Sequence, residues 1–200
     1  NFEKLPPVEN AEQLLDLAFR RAREKQEQKK GRKRQSSEQA FLNEIRQKET
    51  KRMSVIHDVL NDRLSVILKS FPNFVQLPVF YYELVQATME YPLLKKALGS
   101  VNWCIKKNSQ LFHEYAGRLK RAKRAQEMQR VRTEFYGRTS SVIKQLKGPL
   151  LFLEQARRIM KGYPDVKEMP TVVITGFPNV GKTTLLMALT GSRAEIASYS

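Results

Sequence analysis

Gly176-Phe177-Pro178-Asn179-Val180-Gly181-Lys182-Thr183 is the stretch on which the reading of this chain turns. It fits G-x-x-x-x-G-K-[ST], a loop pattern that cradles phosphate groups when it joins a strand to a helix. Its flanks fit that setting. Val172-Val173-Ile174-Thr175 is a short β-branched run that reads as a buried strand. Thr183 to Thr190 is a helix-forming stretch, and Gly191 closes it as a C-cap.

The chemistry follows from the spacing. Gly176 lets the chain turn sharply off the strand, and Gly181 lets backbone approach an anion with no Cβ in the way. The amides between Asn179 and Thr184, with Pro178 and Val180 shaping the loop, form an anion-binding nest at a helix N-terminus. Lys182 is placed to reach β- and γ-phosphates, and the Thr183 hydroxyl to ligate Mg²⁺. The phosphate-binding candidates are therefore Gly176, Pro178, Asn179, Val180, Gly181, Lys182, Thr183 and Thr184. A tight turn carrying a solvated lysine needs neither the second glycine nor the Lys-Thr pair.

The pattern alone does not choose between ATP and GTP. Its filling, Gly-Phe-Pro-Asn-Val-Gly-Lys-Thr-Thr at 176–184, resembles the loop of the Obg/Nog branch of translation-factor-related GTPases. Ala194-Glu195-Ile196-Ala197-Ser198-Tyr199 resembles the start of that branch's first switch segment. Ser200 stands where the family has proline, and the family's switch threonine comes after that position, so it is assigned to no residue of this sequence. A basic helical region leading into this loop is similar in layout to the nucleolar GTP-binding protein 1 family and its archaeal counterparts. The resemblance implies GTP/GDP and Mg²⁺ as ligands and a GTPase switch in large-subunit assembly. It also implies a helical domain that docks on rRNA or a pre-ribosomal particle. It places an archaeal-type member in the cytoplasm and a eukaryotic one in the nucleolus. Asn179 resembles a residue that, in several GTPases of this wider class, helps hold K⁺. The Asp-x-x-Gly and Asn-Lys-x-Asp elements are absent, and no catalytic base is identified. The other reading left open is a basic RNA-binding module attached to an unrelated P-loop ATPase.

Charge points to the partner. The 200 residues carry 36 Lys+Arg against 20 Asp+Glu, a net charge of +16. Lys and Glu enrichment of the kind seen in heat-adapted proteins explains many charges but not their sign. A polyanion explains both. The excess concentrates in Arg20–Arg34 and Arg118–Arg132. Lys29, Lys30, Arg32, Lys33 and Arg34 read as a basic loop. Lys120, Arg121, Lys123 and Arg124 read as one broad face of a long helix. Both sets are candidate RNA contacts; the plainer reading of the first is a solvated tether. No apolar run approaches a membrane span; an anionic membrane surface is the weaker third reading, since the long helices have mixed polar faces, and no membrane partner is expected. Cys104 is the single cysteine, which fits a reducing compartment and leaves no cysteine cluster for zinc. The oligomeric state is not legible.

The expected architecture is mainly α. A basic helical bundle over 1–165 is followed, at 166–200, by the first strand, P-loop and helix of an α/β GTPase domain whose remainder lies outside this sequence. Asn10 with Gln13 forms a capping box for a first helix. Ser36 or Ser37 with Gln39 starts a helix of about 33 residues, about 50 Å long. Val79 to Glu90 forms a short aromatic helix whose Phe80, Tyr81 and Tyr82 belong to the core. Leu93 to Leu98 adds a turn or two. Ser100 caps a second long helix from Val101 to Tyr136, with Trp103 on its apolar face. Gly148-Pro149 joins the last segments, and Gly162-Tyr163-Pro164 ends the bundle. His57 and His113 are expected to be packing or surface residues.

Overall fold

The computed structural model describes residues 2–27, 38–165 and 172–191, without the side chains of Glu3, Gln26 and Glu27. The chain divides into two compact units, Asn1–Tyr163 and Pro164–Ser200. Among its described residues the first holds six α-helices: α1 (Ala11–Glu27), α2 (Glu38–Ser70), α3 (Val79–Thr88), α4 (Tyr91–Arg121), α5 (Ala125–Lys144) and α6 (Lys147–Lys161). The second holds α7 (Lys182–Thr190).

The first turn of α1 forms as its sequence predicts. Gln13 donates its amide to Asn10 Oδ1 and accepts the Asn10 amide on Oε1, both at 2.9 Å. The α2 helix runs 33 residues to Ser70, the predicted length. Ser36 and Ser37 lie outside the described residues.

The centre of the bundle is the α2–α4 pair, with α1 and α5 against α2, and α5 and α6 against α4. Met53, Ile56, Leu60 and Leu64 of α2 and Leu94, Val101 and Leu119 of α4 are almost fully buried there. Leu14 and Ala18 of α1, Phe135 and Ile143 of α5, and Leu150, Leu153 and Met160 of α6 complete the same core.

One polar ladder crosses the central pair. Asn108, 1% exposed, donates Nδ2 to Asn61 Oδ1 at 2.8 Å and to the His57 carbonyl at 3.3 Å. Asn61 Nδ2 reaches Ser109 Oγ at 2.8 Å, and the His57 ring stacks on Phe112 with centroids 4.7 Å apart. These contacts have one good register. Sliding α2 by a turn would strand a buried amide, at a cost of about 1–3 kcal/mol.

The helix boundaries after residue 90 differ from the sequence expectation. α4 is continuous through Gly99 and Ser100. Pro92 sits in its first turn, where proline is tolerated because no N–H is required. Ser100 does not cap; its hydroxyl donates to the Lys96 carbonyl at 2.9 Å inside the helix. The buried positions Leu94, Ala97, Val101 and Cys104 carry the stripe across Gly99. Burying that stripe outweighs the roughly 1 kcal/mol propensity cost of a helical glycine.

The break comes instead at 122–124, which contains neither glycine nor proline. Ala122 and Arg124 are extended, with ψ of 128° and 145°. Arg46 of α2 donates to the Ala122 carbonyl at 3.0 Å, and the Glu127 carboxylate takes the Lys123 and Arg124 amides. The corner lets α5 fold back on α4. Tyr115 then meets Phe135 at 5.9 Å, and Arg118 pairs with Glu134 at 2.6 Å. The α5–α6 turn likewise falls at 145–146, so Pro149 lies in the first turn of α6 rather than at the joint. Gly162 closes α6 as predicted.

Two aromatic expectations also change. In α3 only Val85 is fully buried. Phe80 is 47% exposed, and Tyr81 meets Phe2 edge-on at 5.2 Å. These rings therefore form an edge to the bundle, because α3 lies at its margin and turns one face to water. Trp103 is 45% exposed, on the side of α4 away from Cys104 and Asn108.

The N-terminal segment is strapped to α6. The Glu154 carboxylate accepts the Val8 amide at 2.9 Å and binds Arg157 at 2.7 Å and Arg158 at 3.0 Å. Leu5 and Val8 are buried beside it. The Arg157 guanidinium, above all, holds the Glu154 carboxyl down at about 2.

Candidate functional site

In the second unit the loop residues take the shapes their sequence requires. Gly181 is the N-cap of α7 with φ 86°, a left-handed conformation costly for any residue bearing a Cβ. Asn179 is also left-handed, at φ 62°, which asparagine tolerates better than most residues. A Cβ on Gly176 would lie 3.2 Å from Val180 Cγ2, so a larger residue there would push on the loop.

The first intrahelical bond of α7 runs from the Leu185 amide to the Gly181 carbonyl at 2.9 Å. The amides of Lys182, Thr183 and Thr184 precede it and have no carbonyl four residues back within the helix. Lys182 folds over the loop and donates Nζ to the carbonyls of Gly176 at 2.9 Å and Phe177 at 2.6 Å. Backbone donors at a helix N-terminus, an ammonium and two hydroxyls make a donor set that fits a phosphate chain with a hydrated Mg²⁺.

The strand expected before this loop is not formed. Residues 172–176 belong to no ladder, and no strand occurs among the described residues. Val172 is 89% exposed and Val173 71%, so the run is not buried. The reason is physical: a strand exists only by pairing, and no other described segment offers it an edge. α7 has no buried residue, and Leu185 and Leu189 lie open.

Of the two basic segments in the first unit, the structure describes part of the first and all of the second. Lys29, Lys30, Arg32, Lys33 and Arg34 lie outside the described residues. Lys120, Arg121, Lys123 and Arg124 are all exposed but do not form one helical face. Lys120 and Arg121 end α4, whereas Lys123 and Arg124 lie in the corner before α5. They form a compact basic knuckle instead of a stripe.

Two other charges in these segments have acidic partners within the fold. Arg118 is paired with Glu134, and Arg132 with Glu49. Glu49 is the residue that sequence reasoning missed. It is 4% exposed and binds both Arg52 and Arg132 at 2.9 Å. Its only local signal was an acid three residues before Arg52, lost among Lys48, Lys51 and other charges.

Comparison with known proteins places this architecture. Residues 2–167 match the family model described as the NOG1 N-terminal helical domain. The chain belongs to the NOG1 family. Residues 171–200 match the model described as 50S ribosome-binding GTPase. An uncharacterized protein of Methanocaldococcus jannaschii is 34% identical over 99% of this chain and 55% of its own length. The nucleolar GTP-binding proteins 1 of Caenorhabditis elegans and Arabidopsis thaliana are 25% and 26% identical over the whole chain, which covers 29% of each. The chain thus spans about half, or less, of these relatives.

Within this NOG1-family chain, His57 and Cys104 of the bundle have structural settings. His57 accepts from Asn61 on Nε2 and donates Nδ1–H to Asp58 at 2.8 Å, joining the α2–α4 ladder. Cys104 is buried, and burial pushes its thiol up to about 12, far from thiolate chemistry. No group of three metal-ligating side chains occurs among the described residues. No described helix is long and apolar enough to cross a membrane.

Proposed function

We propose that this chain comprises the RNA-docking domain and the phosphate-binding start of a guanine-nucleotide switch acting in large ribosomal subunit assembly. The observation that carries the reading is the Gly176–Thr184 loop, capped onto α7 by left-handed Gly181, in a chain whose residues 2–167 match the NOG1 N-terminal helical domain. The names of these relatives, which mention GTP and the nucleolus, support the nucleotide and the setting.

In this reading the amides around Lys182, Thr183 and Thr184 hold the β- and γ-phosphates of GTP. Lys182 exchanges its two carbonyl partners for phosphate oxygens, and Thr183 ligates Mg²⁺. Guanine recognition and hydrolysis belong to residues that this sequence does not contain. The helical domain, 1–165, docks on rRNA or a precursor particle through the Lys120–Arg124 knuckle and the Lys29–Arg34 segment. The net charge of +16 supports a phosphate-rich partner.

Two measurements test this on a protein extended to the length of its relatives. Lys182→Ala is expected to abolish GDP and GTP binding in calorimetry while leaving the unfolding of the helical domain unchanged. ATP binding equal to GTP binding would favour the ATPase reading. Reversal of Lys120, Arg121 and Arg124 to Glu is expected to lower co-sedimentation with large-subunit particles and leave GTP binding intact. Undiminished co-sedimentation, also after reversal of Arg32, Lys33 and Arg34, would remove the docking role.

A further inference from the structure

The two basic segments, far apart in sequence, meet in one cleft of about 450 Å³ between α1, α2 and α5. Arg23 comes from the first segment, Arg132 from the second, and Arg52 from the middle of α2; Phe19 and Tyr136 form the apolar wall. The volume is within the range of small-ligand sites, roughly 300–1,000 Å³.

Its electrostatics are unbalanced. Glu49 is the acid inside the arrangement, and its Oε1 holds both Arg52 Nη1 and Arg132 Nη1 at 2.9 Å. Three guanidiniums against one carboxylate leave two positive charges (3 − 1 = 2). Arg52 and Arg132 are only about a quarter exposed, at 24% and 25% of their side chains, so water screens them poorly. Glu49 fixes their planes, and so supplies pre-organisation as well as charge. The Arg132 guanidinium also lies 5.9 Å from the Tyr136 ring centroid, and Phe19 meets that ring edge-on at 5.1 Å.

Two groups at this cleft serve no packing need. Arg23 is exposed and makes no ion pair among the described residues. The half-buried Tyr136 hydroxyl has no hydrogen-bond partner among them, although burial raises its pKa and so keeps the O–H as a donor. A helix staple built from Glu49, Arg52 and Arg132 requires neither. A phosphate group, with several acceptor oxygens and negative charge, uses both. Arg20 stands one turn back on α1, largely exposed and 3.9 Å from its nearest carboxylate, and extends the positive surface beyond a single anion's reach.

We propose that this cleft between α1, α2 and α5 seats a backbone phosphate of RNA, held by Arg23, Arg52, Arg132 and the Tyr136 hydroxyl. The proposal rests on the docking reading above but locates a contact away from the Lys120–Arg124 knuckle. It assigns Glu49 the role of positioning residue for two of the three arginines.

The test is RNA binding by the 200-residue chain, followed by fluorescence anisotropy of a labelled RNA hairpin across a salt titration. Arg23→Ala is expected to weaken binding about tenfold, the worth of one charge-assisted hydrogen bond of about 1.5 kcal/mol. The slope of log affinity against log salt should fall by about 1. Tyr136→Phe should weaken binding about threefold, at the low end for a neutral hydrogen bond. Neither change should shift the unfolding midpoint, since neither removed group bonds the described fold. Inorganic phosphate, compared with chloride at matched ionic strength, should compete with RNA in the wild type. Phosphate binding that responds to Arg23→Ala while RNA affinity does not would reassign the cleft to a free anion and overturn the proposal. An RNA affinity insensitive to Arg23→Ala and Tyr136→Phe, yet reduced by reversal of Lys120, Arg121 and Arg124, would overturn the cleft and leave the docking reading standing. Absence of RNA binding by the unaltered chain would overturn both.

Discussion

Replacing Glu154 by Gln should cost the bundle stability at neutral pH and progressively less in acid. Gln keeps the shape of the protonated carboxyl and removes its charge. In the folded chain the carboxylate binds Arg157, takes the Val8 amide and binds Arg158, which lowers its pKa from 4.5 to about 2. At about 1.4 kcal/mol per pH unit the shift is worth roughly 3 kcal/mol. Arg158 is 74% exposed, and solvent screening of that partner brings the expectation to about 2–3 kcal/mol. The sign follows from the lowered pKa. The contribution is complete above the unfolded value of 4.5 and is lost as pH falls through the folded value near 2. Urea unfolding of wild type and Glu154→Gln at pH 7 and pH 3 measures it. The difference should be about 2–3 kcal/mol at pH 7 and about half that at pH 3, because roughly half of the linkage interval has then been crossed. The other carboxylates titrate in both proteins and cancel. A difference that is the same at both pH values, or below about 0.5 kcal/mol at pH 7, would refute the strap between the N-terminal segment and α6.

Three further outcomes are expected. Thr183→Ala in the extended protein should weaken Mg²⁺-dependent GTP binding more than GDP binding, measured by calorimetry with and without EDTA; equal losses would separate Thr183 from the metal. Hydrolysis by that protein should rise when K⁺ replaces Na⁺, through Asn179; equal rates in the two salts would leave Asn179 as a brace for the loop. Cys104 should resist alkylation by iodoacetamide at pH 8 in the folded chain and react once urea unfolds it, because burial holds its thiol near 12; rapid labelling of the folded chain would contradict the packing of α4.

Much of the candidate site was legible because its chemistry is local. Gly191 closes α7 as its place after the helical run predicts, and Gly181, nine helical residues earlier, takes a left-handed φ that a glycine accepts without strain. The capping box at Asn10 and Gln13 and the 33-residue length of α2 were legible for the same reason: they depend on residues within a turn of one another and on an uninterrupted apolar stripe. The sequence also carried the family, through the filling of the loop and the basic helical lead into it.

What tertiary structure decided were the features whose causes lie far apart in the chain. Gly99 reads as a stop, yet the stripe from Leu94 to Cys104 packs on α2 and carries α4 through it. Residues 122–124 read as helix, yet Arg46, 76 positions away, takes the Ala122 carbonyl at a corner that returns α5 onto α4. Val172 to Thr175 reads as a strand, but pairing is a property of two segments, and no described segment pairs with it. The basic charges were visible by count, but their allotment was not. Glu134 pairs with Arg118, Glu49 is shared by Arg52 and Arg132, and the cleft beside Tyr136 exists only because α1, α2 and α5 converge there. Local sequence fixes caps, turns and the phosphate loop because those are satisfied by neighbours along the chain. Buried charge, helix corners and clefts are settled by packing, whose partners no spacing rule identifies.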